Sequence, residues 1–158
     1  MSETVIIRHP KERRSKCSLT PIEGVSGYTF LRWSRALEFD ADGYTVLAVD
    51  APPLSTADAG RPLLVLDGTW RLLKDLETCV RGAPVRRSIP SGVQTAYPRV
   101  SRYGTDPEGG LASIEALFVA RALLGFWEPT LLDGYRWRDQ FLASLPEEIL
   151  ALQWAAAE

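Results

Sequence analysis

The chain is poor in the residues that build metal and redox centres: its 158 residues include one histidine, His9, and two cysteines, Cys17 and Cys79. A single histidine excludes multi-histidine metal sites, and two widely separated cysteines cannot form a zinc ribbon. They could make at most one bridge, so a disulfide scaffold is excluded and a reducing compartment is the simpler reading. No uninterrupted apolar run approaches membrane length. Met1 to His9 also lacks the basic start, apolar stretch and small-residue cleavage site of a signal peptide. A soluble, cytoplasmic protein with no membrane partner is expected. Internal repeats and low-complexity tracts are absent from the sequence. An enzyme of this composition would rely on an organic cofactor or on carboxylates, with no metal.

What is present suits one compact domain spanning residues 1–158: 46% of residues are hydrophobic and 24% charged, enough to bury a core. The formal charge of −2 hides an asymmetry. Residues 1–103 carry 15 Lys/Arg against 11 Asp/Glu, whereas 104–158 carry 3 against 9. The basic first part could contact phosphates with modest, salt-sensitive affinity.

Thr4-Val5-Ile6-Ile7 is apolar and β-branched and predicts a buried strand, which Pro10 ends. The loop after it carries Lys11, Arg13, Arg14 and Lys16, with Arg8 at its start. Tyr28 to Trp33 predicts a second strand, although Ser34 to Glu38 could be helical. Tyr44 to Asp50 reads as an interior strand, and Leu63 to Leu66 as a solid apolar strand. After that strand, Trp70, Leu72, Leu73, Leu76 and Val80 switch to helical spacing. Val85 to Ile89 is a further candidate strand. From Ser91 to Gly110 runs a long loop rich in Gly, Pro, Ser and Arg, of the kind that is usually functional. Leu111 to Leu124 is the best helix, stopped by Gly125. Further helices are expected over Leu131 to Leu145 and from Pro146 through Trp154. This alternation argues for an α/β fold with helices on both faces of a sheet.

Asp67-Gly68-Thr69-Trp70 places a carboxylate, a flexible residue, a hydroxyl and a large aromatic in one strand-to-helix turn. Asp67 there lies at the carboxyl end of a strand, where open α/β sheets bind ligands. Read on its own, the turn is a helix cap and core anchor, with Asp or Thr satisfying helix N–H groups and Trp packing inward.

Leu63-Leu64-Val65-Leu66-Asp67-Gly68-Thr69-Trp70 also resembles the D-x-T-W signature of the DTW-domain proteins. These belong to the superfamily of RNA aminocarboxypropyltransferases acting on rRNA and tRNA. Leu111-Ala112-Ser113-Ile114-Glu115-Ala116 resembles that superfamily's L-[ST]-[ST]-x-E-A helix start. Arg87-Ser88-Ile89-Pro90 and Tyr97-Pro98-Arg99-Val100-Ser101-Arg102 resemble its intervening R-x-x-P and Y-x-x-x-x-R-like segments. His9-Pro10-Lys11-Glu12 and Lys16-Cys17-Ser18 resemble its first cofactor loop.

The resemblance implies a SPOUT-like open sheet whose C-terminal part threads a trefoil knot around S-adenosylmethionine. It also implies transfer of the 3-amino-3-carboxypropyl group to a uridine or pseudouridine nitrogen of structured RNA, tRNA or rRNA; separately, a monomer is expected. Under it, Asp67 is the base or orienter for the nucleobase N–H, and Trp70 covers the methionine chain and sulfonium. Ser18 and Ser113 receive the methionine carboxylate, and Ile89, Pro90, Val93 and Leu111 form the adenine slot. Leu66, Thr69, Leu73 and Glu115 complete the cofactor site, Glu115 by holding a loop. By charge and position beside the cofactor loop and the presumed site, Arg8, Lys11, Arg13, Arg14, Lys16, Arg87, Arg99 and Arg102 are the candidate RNA contacts, with a solvated loop and ordinary surface pairing as the equal alternatives.

Two departures from the family pattern stand out. Leu73 replaces a small residue and could narrow the methionine pocket, and Ala112 replaces a frequent hydroxyl. Alternatives remain open: a methyltransferase on the same scaffold, or a noncatalytic RNA- or ribosome-binding module, which Leu73 would favour.

Overall fold

The computed structural model describes residues 3–13, 17–97 and 110–156. Among the described residues, besides short 3-10 turns, there are seven strands and five α-helices: β1 Thr4–Arg8, β2 Tyr28–Arg32, β3 Phe39–Asp40, β4 Thr45–Leu47, β5 Leu63–Asp67, α1 Leu73–Glu77, β6 Val80–Arg81, β7 Val85–Arg87, α2 Ser113–Leu123, α3 Arg138–Ala143, α4 Glu147–Leu150 and α5 Leu152–Ala156. Five strands form an open sheet in the order β2-β1-β5-β4-β7, with every pairing parallel. β3 and β6 form a separate two-stranded parallel pair.

Alternation along the central strands builds two cores. Ile6 of β1 and Leu63 and Val65 of β5 face a layer containing α2, α3, α4 and α5. Val5, Ile7, Leu64 and Leu66 face the other way, onto Leu76 and Leu73 of α1 and onto Phe39 and Val80 of the small pair. β5 is covered on both faces, so all five of its residues are buried, and the four before Asp67 are accordingly apolar. The expected α/β sheet with helices on both faces is therefore present.

α2 lies against the strands and runs opposite to them. Its first turn is tied to Ser18, beyond the carboxyl end of β1, and its last-turn Arg121 reaches Thr4 at the amino end of β1. Its stop is the one the sequence announces. Gly125, at φ 105, donates its N–H to Ala122 O and Phe126 donates to Arg121 O, the paired bonds of a Schellman ending.

Several expected elements come out shorter. The run Tyr44 to Asp50 keeps only β4, because β5 pairs with it over just Thr45 and Val46. Beyond Leu47 the chain leaves the sheet, and Val49 is 80% exposed. The helix expected after Trp70 contracts to α1. Leu131 to Leu145 is divided into a 3-10 turn at Pro129–Leu132 and α3. Between them Gly134 packs so closely on Pro21 that an added Cβ would lie 2.7 Å from the proline Cβ. Tyr28 to Trp33 is a strand, at one edge of the sheet. The β3–β6 pair had no signal in the hydrophobic pattern, being two residues long on each side.

Candidate active site

All five strands point their carboxyl ends to one edge of the sheet, which is where parallel sheets bind ligands. Asp67 ends β5 there, 2% exposed. Alternation turns its side chain to the α2 side, as for Leu63 and Val65. Its Oδ2 accepts two hydrogen bonds, from Arg8 Nε at 3.0 Å and from the Cys17 thiol at 3.1 Å. Arg8 is itself a hub. It also donates to Glu23 Oε1 and, at 3.4 Å each, to Cys17 Sγ and Thr20 Oγ1, and its guanidinium stacks over Phe30. Burial, followed by the Asp67 charge and hydrogen bond, pushes the Cys17 thiol up to about 11. Cys17 therefore stays protonated at neutral pH and donates.

The residue after Cys17 crosses to the helix layer. Ser18 Oγ accepts the Ile114 N–H at 3.0 Å and so caps the first turn of α2. A serine hydroxyl accepting one bond still has a proton to give. Glu115, fully buried in the same turn, accepts from Ala112 N at 2.8 Å, Thr95 Oγ1 at 2.6 Å and Ala96 N at 2.8 Å. It fastens the loop after β7 to the start of α2. Tyr97 completes the anchorage, edge-on to Trp137 with ring centroids 5.0 Å apart.

The turn after Asp67 is not a helix cap. α1 begins at Leu73 with Leu72 at the cap position and no side-chain cap bond. Trp70 is 50% exposed, with the Arg71 guanidinium 5.4 Å from its ring centre, so it anchors no core. Thr69 is also exposed. Glu12 lies beside this turn. Burial first and the Asp67 charge second push its carboxyl above the usual range, against a backbone hydrogen bond from Thr69.

The expected cofactor residues are thus divided by the sheet. Ile89, Val93 and Leu111 pack half-buried on the α2-side core, the side to which Asp67 and Ser18 also turn. Leu66 and Leu73 pack in the opposite core, so the Leu73 side chain is not brought against that group. Ser113 is partly buried in the first turn of α2. A cleft of about 370 Å³ is bordered by Pro90 and Val93 together with Leu54, Leu123, Ile149 and Leu152. Neither Asp67, Ser18 nor Trp70 lines it.

Of the basic residues, Lys11 and Arg13 are exposed in the loop after β1. Arg8 is partly buried and engaged in ion pairs, because its own strand directs it toward Asp67. Arg87 is paired with Asp58 at 3.3 Å. Arg14, Lys16, Arg99 and Arg102 lie outside the described residues.

Sequence reasoning missed Thr95, Ala96 and the thiol of Cys17 as partners of the site. Their partners are remote in the chain, and no local pattern marks them. His9 is buried against Trp33, accepting the Lys11 N–H on Nδ1 and bonding Asp75 through Nε2, a structural role. No group of three metal-capable side chains gathers among the described residues, and no described helix is long and apolar enough to cross a membrane.

The fold is a doubly wound, all-parallel open α/β sheet closed on one face by α2, with its candidate site at the carboxyl edge. A solved structure shares it: the SAM-dependent rRNA:acp-transferase Tsr3 from Vulcanisaeta distributa superposes with a TM-score of 0.67 at 21% identity, over 99% of this chain and 84% of that one. No family model and no curated protein matches the chain.

Proposed function

We propose that the chain binds S-adenosylmethionine and transfers its 3-amino-3-carboxypropyl group to a uridine or pseudouridine nitrogen of structured RNA, rRNA or tRNA, as a monomer in the cytoplasm. The observation that carries this reading is the junction at Cys17-Ser18. Cys17 touches the Asp67 carboxylate and Ser18 caps α2, so the Asp-Gly-Thr-Trp turn and the Leu-Ala-Ser-Ile-Glu-Ala helix start meet at one edge of a sheet shared with Tsr3. On the same reading the fold is of the SPOUT type and its C-terminal part threads a trefoil knot.

The residues present suit the cofactor. Ser18 has a hydroxyl proton to give a carboxylate at the positive end of an eleven-residue helix. Trp70 offers an exposed aromatic face to a sulfonium, worth about 0.5–2 kcal/mol. Ile89, Pro90, Val93 and Leu111 supply apolar surface for adenine, and the cleft beside Pro90 and Val93 lies in the size range of small-molecule sites. When bound, the cofactor supplies electrophilic carbons around its sulfonium. The protein's task is to present the methionine carbon, and not the methyl, to the base. With Oδ2 taken by two donors, Asp67 suits orientation better than proton removal. The exposed Lys11 and Arg13 are the RNA-phosphate contacts of this reading. Leu73 packs against the opposite core, which on this reading supports a methionine pocket that it does not narrow.

Calorimetric titration with S-adenosylmethionine, followed by mass spectrometry of nucleosides from RNA treated with the protein, tests the reading. Saturable binding and an aminocarboxypropyl mass increment are expected. A methyl increment would assign the rival methyltransferase, and well-folded protein that binds no cofactor would overturn the reading.

A further inference from the structure

We infer that Arg8, Asp67 and Cys17 form a clamp whose task is to hold the Ser18 hydroxyl on the first turn of α2, which makes Asp67 and Cys17 positioning residues. The relevance of the clamp to the cofactor rests on the function proposed above; the coupling itself does not.

The argument follows the chain. Arg8 is the last residue of β1 and Asp67 the last of β5, and the two are direct partners in the parallel register. The 3.0 Å ion pair between them locks the carboxylate in place at the sheet edge. From that fixed oxygen the Cys17 S–H bond reaches across to the chain segment that leaves the β1 loop. The Cys17 backbone is held on either side: its N–H donates to Arg13 O at 3.0 Å and its carbonyl accepts from Thr20 N at 3.2 Å. With Cys17 pinned through both backbone and side chain, Ser18 has little freedom. Its Oγ is delivered to the Ile114 amide, 96 residues away in sequence. Arg8 Nη2 also lies 3.4 Å from the same sulfur, so one guanidinium touches both ends of the Cys17–Asp67 bond.

A buried carboxylate carrying a guanidinium and a thiol is well built for holding geometry. The ionised partner makes the Arg8–Asp67 bond stronger than a neutral one. The thiol is a weak donor, so its bond matters more for direction than for strength. Removing Asp67 would leave Arg8 short of a buried partner and release Cys17, and the effect would be read at Ser18.

Amide hydrogen exchange of the unliganded protein tests the coupling directly. In Ser18→Ala the Ile114 amide should exchange about five- to tenfold faster, as expected for loss of one capping bond. Cys17→Ala and Asp67→Asn should raise Ile114 exchange toward that level. Cys17→Ser, which restores a hydrogen-bond donor, should bring it back. The Ala116 amide, bonded to Ala112 O within the same helix, should be unaffected and serves as the internal control. Unchanged Ile114 protection in both Cys17→Ala and Asp67→Asn overturns the clamp. So does an equal rise at Ala116, which would mean general loosening. If Asp67→Asn does not fold, the Cys17 pair decides the matter alone.

Cofactor titration separates the two levels. Asp67→Asn should weaken S-adenosylmethionine binding in the Ser18 protein and leave it unchanged in a Ser18→Ala background. Additive losses would overturn the indirect role. Wild-type protein that binds no cofactor, but shows the expected Ile114 pattern, would overturn the functional reading and support the clamp.

Discussion

The Thr95 hydroxyl meets Glu115 Oε1 at 2.6 Å, a bond that joins the loop after β7 to a carboxylate with no solvent exposure. Because the other Glu115 oxygen takes the Ala96 amide, a single side chain fixes both the height and the direction of that loop.

Glu115→Ala should therefore cost about 2–4 kcal/mol of stability, since it strands two backbone N–H groups and a hydroxyl. Urea unfolding measures the loss. Glu115→Gln, which keeps one acceptor oxygen, should lose less.

Trp70→Ala should behave in the opposite way. The ring is half exposed and belongs to neither core, so stability should change by less than about 0.5 kcal/mol. Affinity for S-adenosylmethionine should fall by about 0.5–2 kcal/mol, measured by calorimetry. A large fall in melting temperature with unchanged affinity would restore the anchoring role that the sequence suggests for an isolated Asp-Gly-Thr-Trp turn.

Gly134→Ala tests the joint between the 3-10 turn and α3. Its new Cβ would press on Pro21 Cβ at 2.7 Å, and relief requires backbone movement. A loss of about 1–3 kcal/mol in urea unfolding is expected.

The alkaline limb of stability should carry a contribution from Cys17. Its thiol titrates near 9.0 when unfolded and is pushed up to about 11 when folded, so between those values the unfolded chain has lost the proton and the native one has not. Stability falls as pH rises through that window and is fully retained below it. Unfolding free energies of Cys17→Ser measured across the window should decline less steeply than those of the wild type. Tyr28 and Cys79, also raised by burial, leave a residual slope in both.

The strands and α2 were legible because their signals are local. Thr4 to Ile7 and Leu63 to Leu66 are short apolar runs that only a doubly covered strand accommodates. α2 carries its own stop in Gly125. The division of Leu131 to Leu145 falls at Gly134, whose close packing on Pro21 is a contact across the fold that no local pattern shows. The same distinction runs through the site. Asp67 at a strand end could be read from the sequence, and Glu115 as a loop holder only from the family resemblance. The pairing of Arg8 could not, because a basic residue opening a basic loop looks like a solvated one until Asp67 and Glu23 are seen beside it. The resemblance groups Leu66 and Leu73 with the cofactor residues; strand alternation turns Leu66, and the position of α1 turns Leu73, into the core on the other side of the sheet.

α2 is gripped at both ends by charge that water does not reach: Glu115 at the first turn and Arg121, ion-paired with Glu128, at the last. Sliding the helix by one turn, about 5.4 Å, would orphan both groups at once. It is therefore a fixed backstop, and under the proposed function accommodation of an incoming nucleotide falls to the segments 68–72 and 89–94, the latter ending before the Glu115 anchorage at Thr95 and Ala96. Directed evolution toward a different acceptor would succeed by diversifying those two segments and would fail by randomising the helix.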